Sequence, residues 1–229
     1  MPLLLLMSAA LLLFAPGLAS AQEWDTFTSK DDRFSITFPG QPKVETITWP
    51  SEYGAVFPAR VYTVETMSGR YSVTAVDYKE SERIHAAIKK HESFQDPIYW
   101  QIDIQASIQY AATKFRQRPN AKVTYDAWHY IDLVEGHQLQ LTNADQSRTF
   151  VAIYLHENVL YVLEATVPPR APQPLIFQQN LSFLDASGNR VRYEEIYSNR
   201  LPPHTSGRRA GGAGGGGRGG GAQGGRGGN

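Results

Sequence analysis

The stretch from Arg148 to Val167 constrains the fold more than any other part of the chain. Two runs rich in β-branched and aromatic residues, Arg148 to His156 and Val159 to Val167, flank Glu157-Asn158, and asparagine tolerates positive φ. That pattern reads as a β-hairpin. In its first run both alternating sets are largely apolar: Val151, Ile153 and Leu155 on one face, Phe150, Ala152 and Tyr154 on the other. A strand that is apolar on both faces is central and covered twice. The rest of the chain must therefore supply both sheet partners and two covering layers.

Candidates for those partners appear on both sides of the hairpin. Patterned sequence begins in the stretch Trp24 to Pro42, where Phe34, Ile36 and Phe38 alternate with Ser35 and Thr37 until Pro39-Gly40 stops the run. That is a strand closed by a turn. Lys43 to Trp49 is a second strand, Pro50 to Phe57 a loop, and Arg60 to Thr66 with Tyr71 to Tyr78 a hairpin turning at Ser68-Gly69. Ser81 is placed to cap a short helix carrying Ile84 and Ile88 on one face. A longer helix follows, with Asp96 at its N-cap and Pro97 at its first position. Trp100, Ile104, Ile108, Ala111 and Phe115 recur at helical spacing, and Pro119 ends the run, so this stripe is the face expected against the sheet. Strands return at Val123 to Val134 and His137 to Thr142, with a turn expected at Glu135-Gly136. After Pro168 and Pro169, the spacing of Phe177, Leu181 and Leu184 predicts a final helix closed by Gly188, and Val191 to Tyr193 a last short strand. Strands, helices, strands and a helix, without crossover helices between most strands, predict an α+β fold with a mostly antiparallel sheet.

The two ends stand apart from this pattern. Leu3 to Phe14 is an apolar run of about 12 residues, too short to span a bilayer, followed by Pro16-Gly17 and the small residues Ala19, Ser20 and Ala21. Residues 1–21 read as a signal peptide cleaved before Gln22, with retention as an uncleaved anchor as the alternative. No lysine or arginine precedes the run. The expected location is periplasmic or extracellular, with no transmembrane span in the mature chain. At the other end, residues 201–229 form a Gly/Arg-rich tail. Its part after Ser206 holds 14 of the 20 glycines, no acid and no apolar side chain larger than alanine, so it cannot repay the entropy of ordering. Residues 22–200 are left as a single domain.

Charge and cysteine content narrow the chemistry. Lysine plus arginine and aspartate plus glutamate number 22 each, but Arg208, Arg209, Arg218 and Arg226 all lie in the tail, leaving 18 basic against 22 acidic residues elsewhere. A mildly acidic body argues against nucleic-acid binding by the folded part. The absence of cysteine excludes disulfides, thiolate metal sites, a cysteine nucleophile and an N-terminal lipidated cysteine.

The opening FxxxDDRFSITFPGQP, the pair RVYT and YSVTAVDY, and the closing NVLYVLEATVPP and FQQNLSFLDASG together resemble the PsbP-like family over roughly residues 24–194. The resemblance implies an α/β/α sandwich, a mostly antiparallel sheet covered by helices on both faces. It also implies a non-enzymatic accessory or binding role. No partner-contacting motif of that family is matched.

Reactive constellations are sparse. His85 and His91 are six residues apart and fall on different sides of a helix. His129 and His137 would face each other across a Glu135-Gly136 turn, with Asp126 or Asp132 near, as a conceivable metal site; surface histidines are the plainer reading. The carboxylate pairs Asp31-Asp32 and Glu194-Glu195 sit in turn-like contexts, and no Gly-x-Ser-x-Gly elbow or phosphate-binding glycine loop occurs. Trp24, Trp49, Trp100, Trp128 and 12 tyrosines belong mostly to the core, and some would suit a groove for a small apolar or peptide ligand. Arg-Gly-Gly at 218 and 226 suggests weak polyanion contact through Arg208, Arg209, Arg218 and Arg226, against an inert tail. The resulting reading is a secreted, cofactor-free, non-catalytic accessory domain that binds a protein or a small apolar ligand. An envelope enzyme of hydrolase type, with a site the sequence hides, is the alternative.

Overall fold

The computed structural model describes residues 23–88 and 98–202. The leader, His91, the Asp96-Pro97 helix start and the tail arginines Arg208, Arg209, Arg218 and Arg226 lie outside the described residues. Among the described residues ten strands and three helices follow in order: Asp25–Ser29 (β1), Phe34–Phe38 (β2), Lys43–Pro50 (β3), Val56–Thr66 (β4), Gly69–Asp77 (β5), Ser81–Ala86 (α1), Tyr99–Arg116 (α2), Lys122–Ile131 (β6), Val134–Thr142 (β7), Arg148–His156 (β8), Val159–Val167 (β9), Leu175–Gln179 (α3) and Ser182–Phe183 (β10). A seven-stranded sheet runs β3-β4-β5-β9-β8-β7-β6 and a three-stranded sheet runs β1-β2-β10, both wholly antiparallel. The class is α+β and mostly antiparallel.

β8 and β9 occupy the middle of the large sheet, as their two apolar faces require. Glu157 and Asn158 both have positive φ, 46° and 61°, the two-residue turn whose twist suits a hairpin. On one face Val151, Ile153 and Leu155 pack with Trp100, Ile104, Ala111, Ala112 and Phe115 of α2. On the other, Phe150, Ala152 and Tyr154 pack with Phe34, Ile36 and Phe38 of β2, Phe177 of α3 and Phe183 of β10.

The second covering layer differs from the helical one implied by the resemblance to the PsbP-like family. It is the three-stranded sheet together with the single short helix α3, because the helical run ends at Gln179 and Ser182 and Phe183 extend to pair with Ser35 and Phe34. The helical spacing of Phe177, Leu181 and Leu184 is coincidental, since all three point inward from a turn of helix and an extended segment. β1 adds a strand through Phe27, its one partly buried apolar residue. Ser81 does not cap α1. It is the first helical residue, buried, and its hydroxyl donates to the Trp100 carbonyl at 3.2 Å, joining the two helices.

The β6–β7 turn lies at Asp132-Leu133, with φ of 47° and 62°, not at Glu135-Gly136. Gly136 is inside β7 because the ring of Tyr154 covers it, and a Cβ there would overlap that ring and the Ile153 carbonyl. Val191 to Tyr193 forms no strand; residues 190–202 run as an irregular strap across one end of the large sheet.

Candidate functional site

Moving the turn by three residues changes what the histidines can do. Trp128 pairs with His137, and Gly136 pairs with His129, so the two histidines point to opposite faces of the sheet. They cannot share a metal. Among the described residues no group of three or more histidines and carboxylates is arranged to hold one. His129 meets the Tyr154 hydroxyl at 2.9 Å, and partial burial lowers its pKa.

His137 belongs to a polar cluster on the α2 face. It is hydrogen-bonded to Asp126, and Arg116 holds the same carboxylate in a fork, Nε to Oδ2 at 2.7 Å and Nη2 to Oδ1 at 3.0 Å. Gln109 completes the ring, its Oε1 accepting from Arg116 at 3.2 Å and its amide approaching His137 Nδ1 at 3.4 Å. The arginine hydrogen bonds, aided by His137, draw the Asp126 carboxyl down to about 2 against partial burial. A carboxylate so held orients its neighbours and is a poor proton acceptor near neutrality.

The edge of the Trp128 ring packs against His137, with centroids 5.3 Å apart, yet 56% of Trp128 is exposed. It stands at the mouth of a half-open groove of about 370 Å³ on the same face. Ile104, Ile108 and Leu155 form its apolar floor and helix-side wall, while Ile196 and Leu201 of the strap form the opposite wall. Gln105, Gln109, Ser198, Asn199 and Glu135 supply the polar rim. Ile108 is half-buried on this wall and not at the centre of the helix–sheet contact, which Ile104, Ser107, Ala111 and Phe115 occupy.

The strap is fixed by both adjacent hairpin turns. The Tyr197 amide donates to the Leu133 carbonyl at 3.0 Å, and Arg190 pairs with Asp132 at 2.7 Å. At the β8–β9 turn, the Glu157 amide donates to the Tyr197 hydroxyl at 2.9 Å and the Asn158 amide to Asn199 Oδ1 at 3.0 Å. The Asn158 side chain donates to the Arg200 carbonyl at 3.0 Å.

Two further clusters are structural. Asp32 accepts from Arg60 Nε at 2.7 Å and from the Tyr62 hydroxyl at 2.5 Å, and its carbonyl accepts from Tyr161 at 2.7 Å, so of the Asp31-Asp32 pair Asp32 is spent on joining the two sheets while Asp31 is exposed. Burial, then the Asp32 hydrogen bond, pushes Tyr62 up to about 12. Glu194 and Glu195 are exposed on the strap. His85 meets Asp103 at 2.9 Å with both side chains buried, tying α1 to α2. That pair had one sequence signal, a carboxylate at position 103 inside the apolar stripe of α2.

No protein-family model matches the chain, and no curated protein matches it. Among solved structures, the chain is similar to the solution structure of cyanobacterial PsbP (CyanoP) from Synechocystis sp. PCC 6803. That similarity stands at 9% identity and a TM-score of 0.36, over 66% of this chain and 84% of that one.

Proposed function

We propose that this protein is a secreted or periplasmic, non-catalytic binding domain whose groove between α2 and the strap takes an apolar side chain of a peptide segment. The observation that carries the reading is the pairing of exposed Trp128 with exposed Ile196, at 56% and 63%, across a floor of Ile104, Ile108 and Leu155. Large apolar side chains left in water around a concave apolar floor are what a recognition site needs. A peptide is favoured over a hydrocarbon because Gln105 and Ser198 offer both donors and acceptors at the rim, matching backbone amides. The secreted location rests on the leader sequence, and the accessory role on the resemblance of residues 24–194 to the PsbP-like family. The enzyme reading loses support where Asp126 is clamped by Arg116, since the carboxylate beside the groove is held down to about 2. Polyanion contact by Arg208, Arg209, Arg218 and Arg226 is a separate proposal for the tail.

Titration with N-acetylphenylalanine amide, followed by the indole N–H signals in two-dimensional NMR, tests the site. A saturable shift confined to Trp128 and the groove, with a dissociation constant on the order of millimolar for so small a probe, is expected. Unsaturable shifts scattered over the surface would remove the groove from consideration.

A further inference from the structure

The strap forms one wall of the groove on the α2 face, but the residue that pins it lies on the other face of the sheet. His156 ends β8 on the small-sheet side and is 0% exposed. Its ring stacks on Phe183 with centroids 4.4 Å apart, and the strap closes over it through Tyr197 at 4.8 Å and Tyr193 at 5.8 Å. Nε2 meets the Tyr193 hydroxyl at 2.7 Å, whereas Nδ1 is buried with no hydrogen-bond partner.

We infer that His156 is an acid-sensitive latch for the strap: protonation of the imidazole releases residues 193–201 and with them the Ile196–Leu201 wall of the groove. The consequence for binding rests on the groove reading given above, but the latch itself does not. A neutral imidazole meets this site with one nitrogen satisfied. An imidazolium carries an N–H on both nitrogens and would leave Nδ1–H buried without an acceptor. The acceptor it lacks is water, and only lifting Tyr193 and Tyr197 admits it.

The charges nearest His156 pull in opposite directions. Glu157, next in the chain, favours the cation, but Arg33 from the β1–β2 loop is ion-paired to Glu157 and opposes it. Tyr193 and Tyr197 are held neutral by burial, and Asp132 is occupied by Arg190. Burial dominates, and it lowers the His156 pKa from 6.5 to about 4. A group whose pKa is lower when covered than when free promotes uncovering as pH falls between those two values. Strap opening should rise on the order of 20-fold from pH 7 to pH 5.

Amide hydrogen exchange on the full mature chain, without any ligand, reads this directly. Between pH 7 and pH 5, after correction for the intrinsic exchange rate, protection at Tyr197, Glu157 and Asn158 should fall about 20-fold. Val151 and Leu163 in the central strands should keep theirs. In His156→Phe, which keeps the ring stack, strap protection should be flat with pH. Should that variant fail to fold, NMR titration of the wild-type imidazoles serves instead: His156 should titrate well below an ordinary histidine, together with the Tyr197 amide. Strap protection independent of pH, the same fall in His156→Phe, simultaneous loss at Val151 and Leu163, or an ordinary His156 titration each overturns the latch. None of these results depends on the groove binding anything, and failure of N-acetylphenylalanine amide to bind would leave the latch standing.

Discussion

The two faces of the seven-stranded sheet are covered in different ways. The face under β1, β2, β10 and α3 is closed by large rings. Phe34 sits edge-on to Tyr62 at 5.0 Å and to Tyr161 at 5.8 Å, and Phe38 packs on Phe177 at 5.4 Å. Asp32, the carboxylate admitted there, is engaged in joining the layers, and His156 is a polar group with one nitrogen left over. The face under α2 is thinner and more polar. A buried His85–Asp103 pair, Ser107 and the Asp126–His137–Arg116 cluster interrupt its apolar surface, and one helix cannot span seven strands. The groove opens between the middle of α2 and the strap. The closed face has its own apolar hollow at its edge, about 380 Å³ between Trp24, Tyr71 and Ile176, but only the α2 face has its groove bounded by the strap.

The sharpest way to break this contrast is to damage the closed face. Phe34→Ala removes a fully buried ring that touches both sheets, and it should cost about 4 kcal/mol in a denaturant titration. A loss below about 1 kcal/mol would mean that the three-stranded sheet is an appendage, not a structural layer.

The next effect separates the faces by pH. The folded pKa of His156 lies below its unfolded value, so its contribution is intact above pH 6.5 and drains away as pH falls toward 4. The loss should approach about 3 kcal/mol by pH 4. His129, also lowered by burial, adds a smaller share in the same direction. Asp126, on the open face, is a depressed carboxylate: its contribution is present above pH 3.8 and is lost only as pH falls through about 2. Wild type and His156→Phe should therefore diverge in stability between pH 6.5 and 4 and run parallel below it. Parallel curves throughout would contradict the burial of His156.

A smaller loss is expected at Asp103. Asp103→Ala deprives His85 of a hydrogen bond made where both side chains are buried, and about 2 kcal/mol should disappear at neutral pH. His85→Leu combined with Asp103→Leu should recover much of it if the pair serves only to join α1 to α2. Persistent loss in the double variant would mark the pair as more than a fastener.

What the sequence made legible follows from the range of the interactions. The alternation within β8 assigned its residues to the two faces as the structure does, because period two is a property of the strand alone. Gly136 reads as a turn because glycine is the usual breaker, and nothing local reveals that the Tyr154 ring lies over it. The difference between a β6–β7 turn at Asp132-Leu133 and one three residues later decided whether His129 and His137 could meet. β1 has one inward apolar residue, Phe27, too few to show a period. The strap was invisible for a deeper reason: Asn199 and Arg200 find their partner in Asn158, about 40 residues away. Trp128 is one of four tryptophans, and only its place on the edge strand β6 leaves it in water.

The smallest stability effect carries the most information about the site. Spacing alone puts Ile108 in the same core stripe as Ile104 and Phe115, where an aspartate would cost about 3 kcal/mol or more as a buried unpaired charge. In the structure Ile104 is fully buried, but Ile108 is half-buried on the groove wall, where a carboxylate would keep its water. Ile108→Asp should therefore cost below about 1 kcal/mol. Gln105→Asp, on the exposed flank of the helix, should cost still less, and Ile104→Asp should unfold the α2 face. Yet Ile108→Asp places a charge on the helix-side wall, across the groove from Ile196, and should abolish the Trp128 response to N-acetylphenylalanine amide. Loss of binding with the fold intact would place this residue in the site. A loss of stability matching that of Ile104→Asp would return it to the core and close the groove.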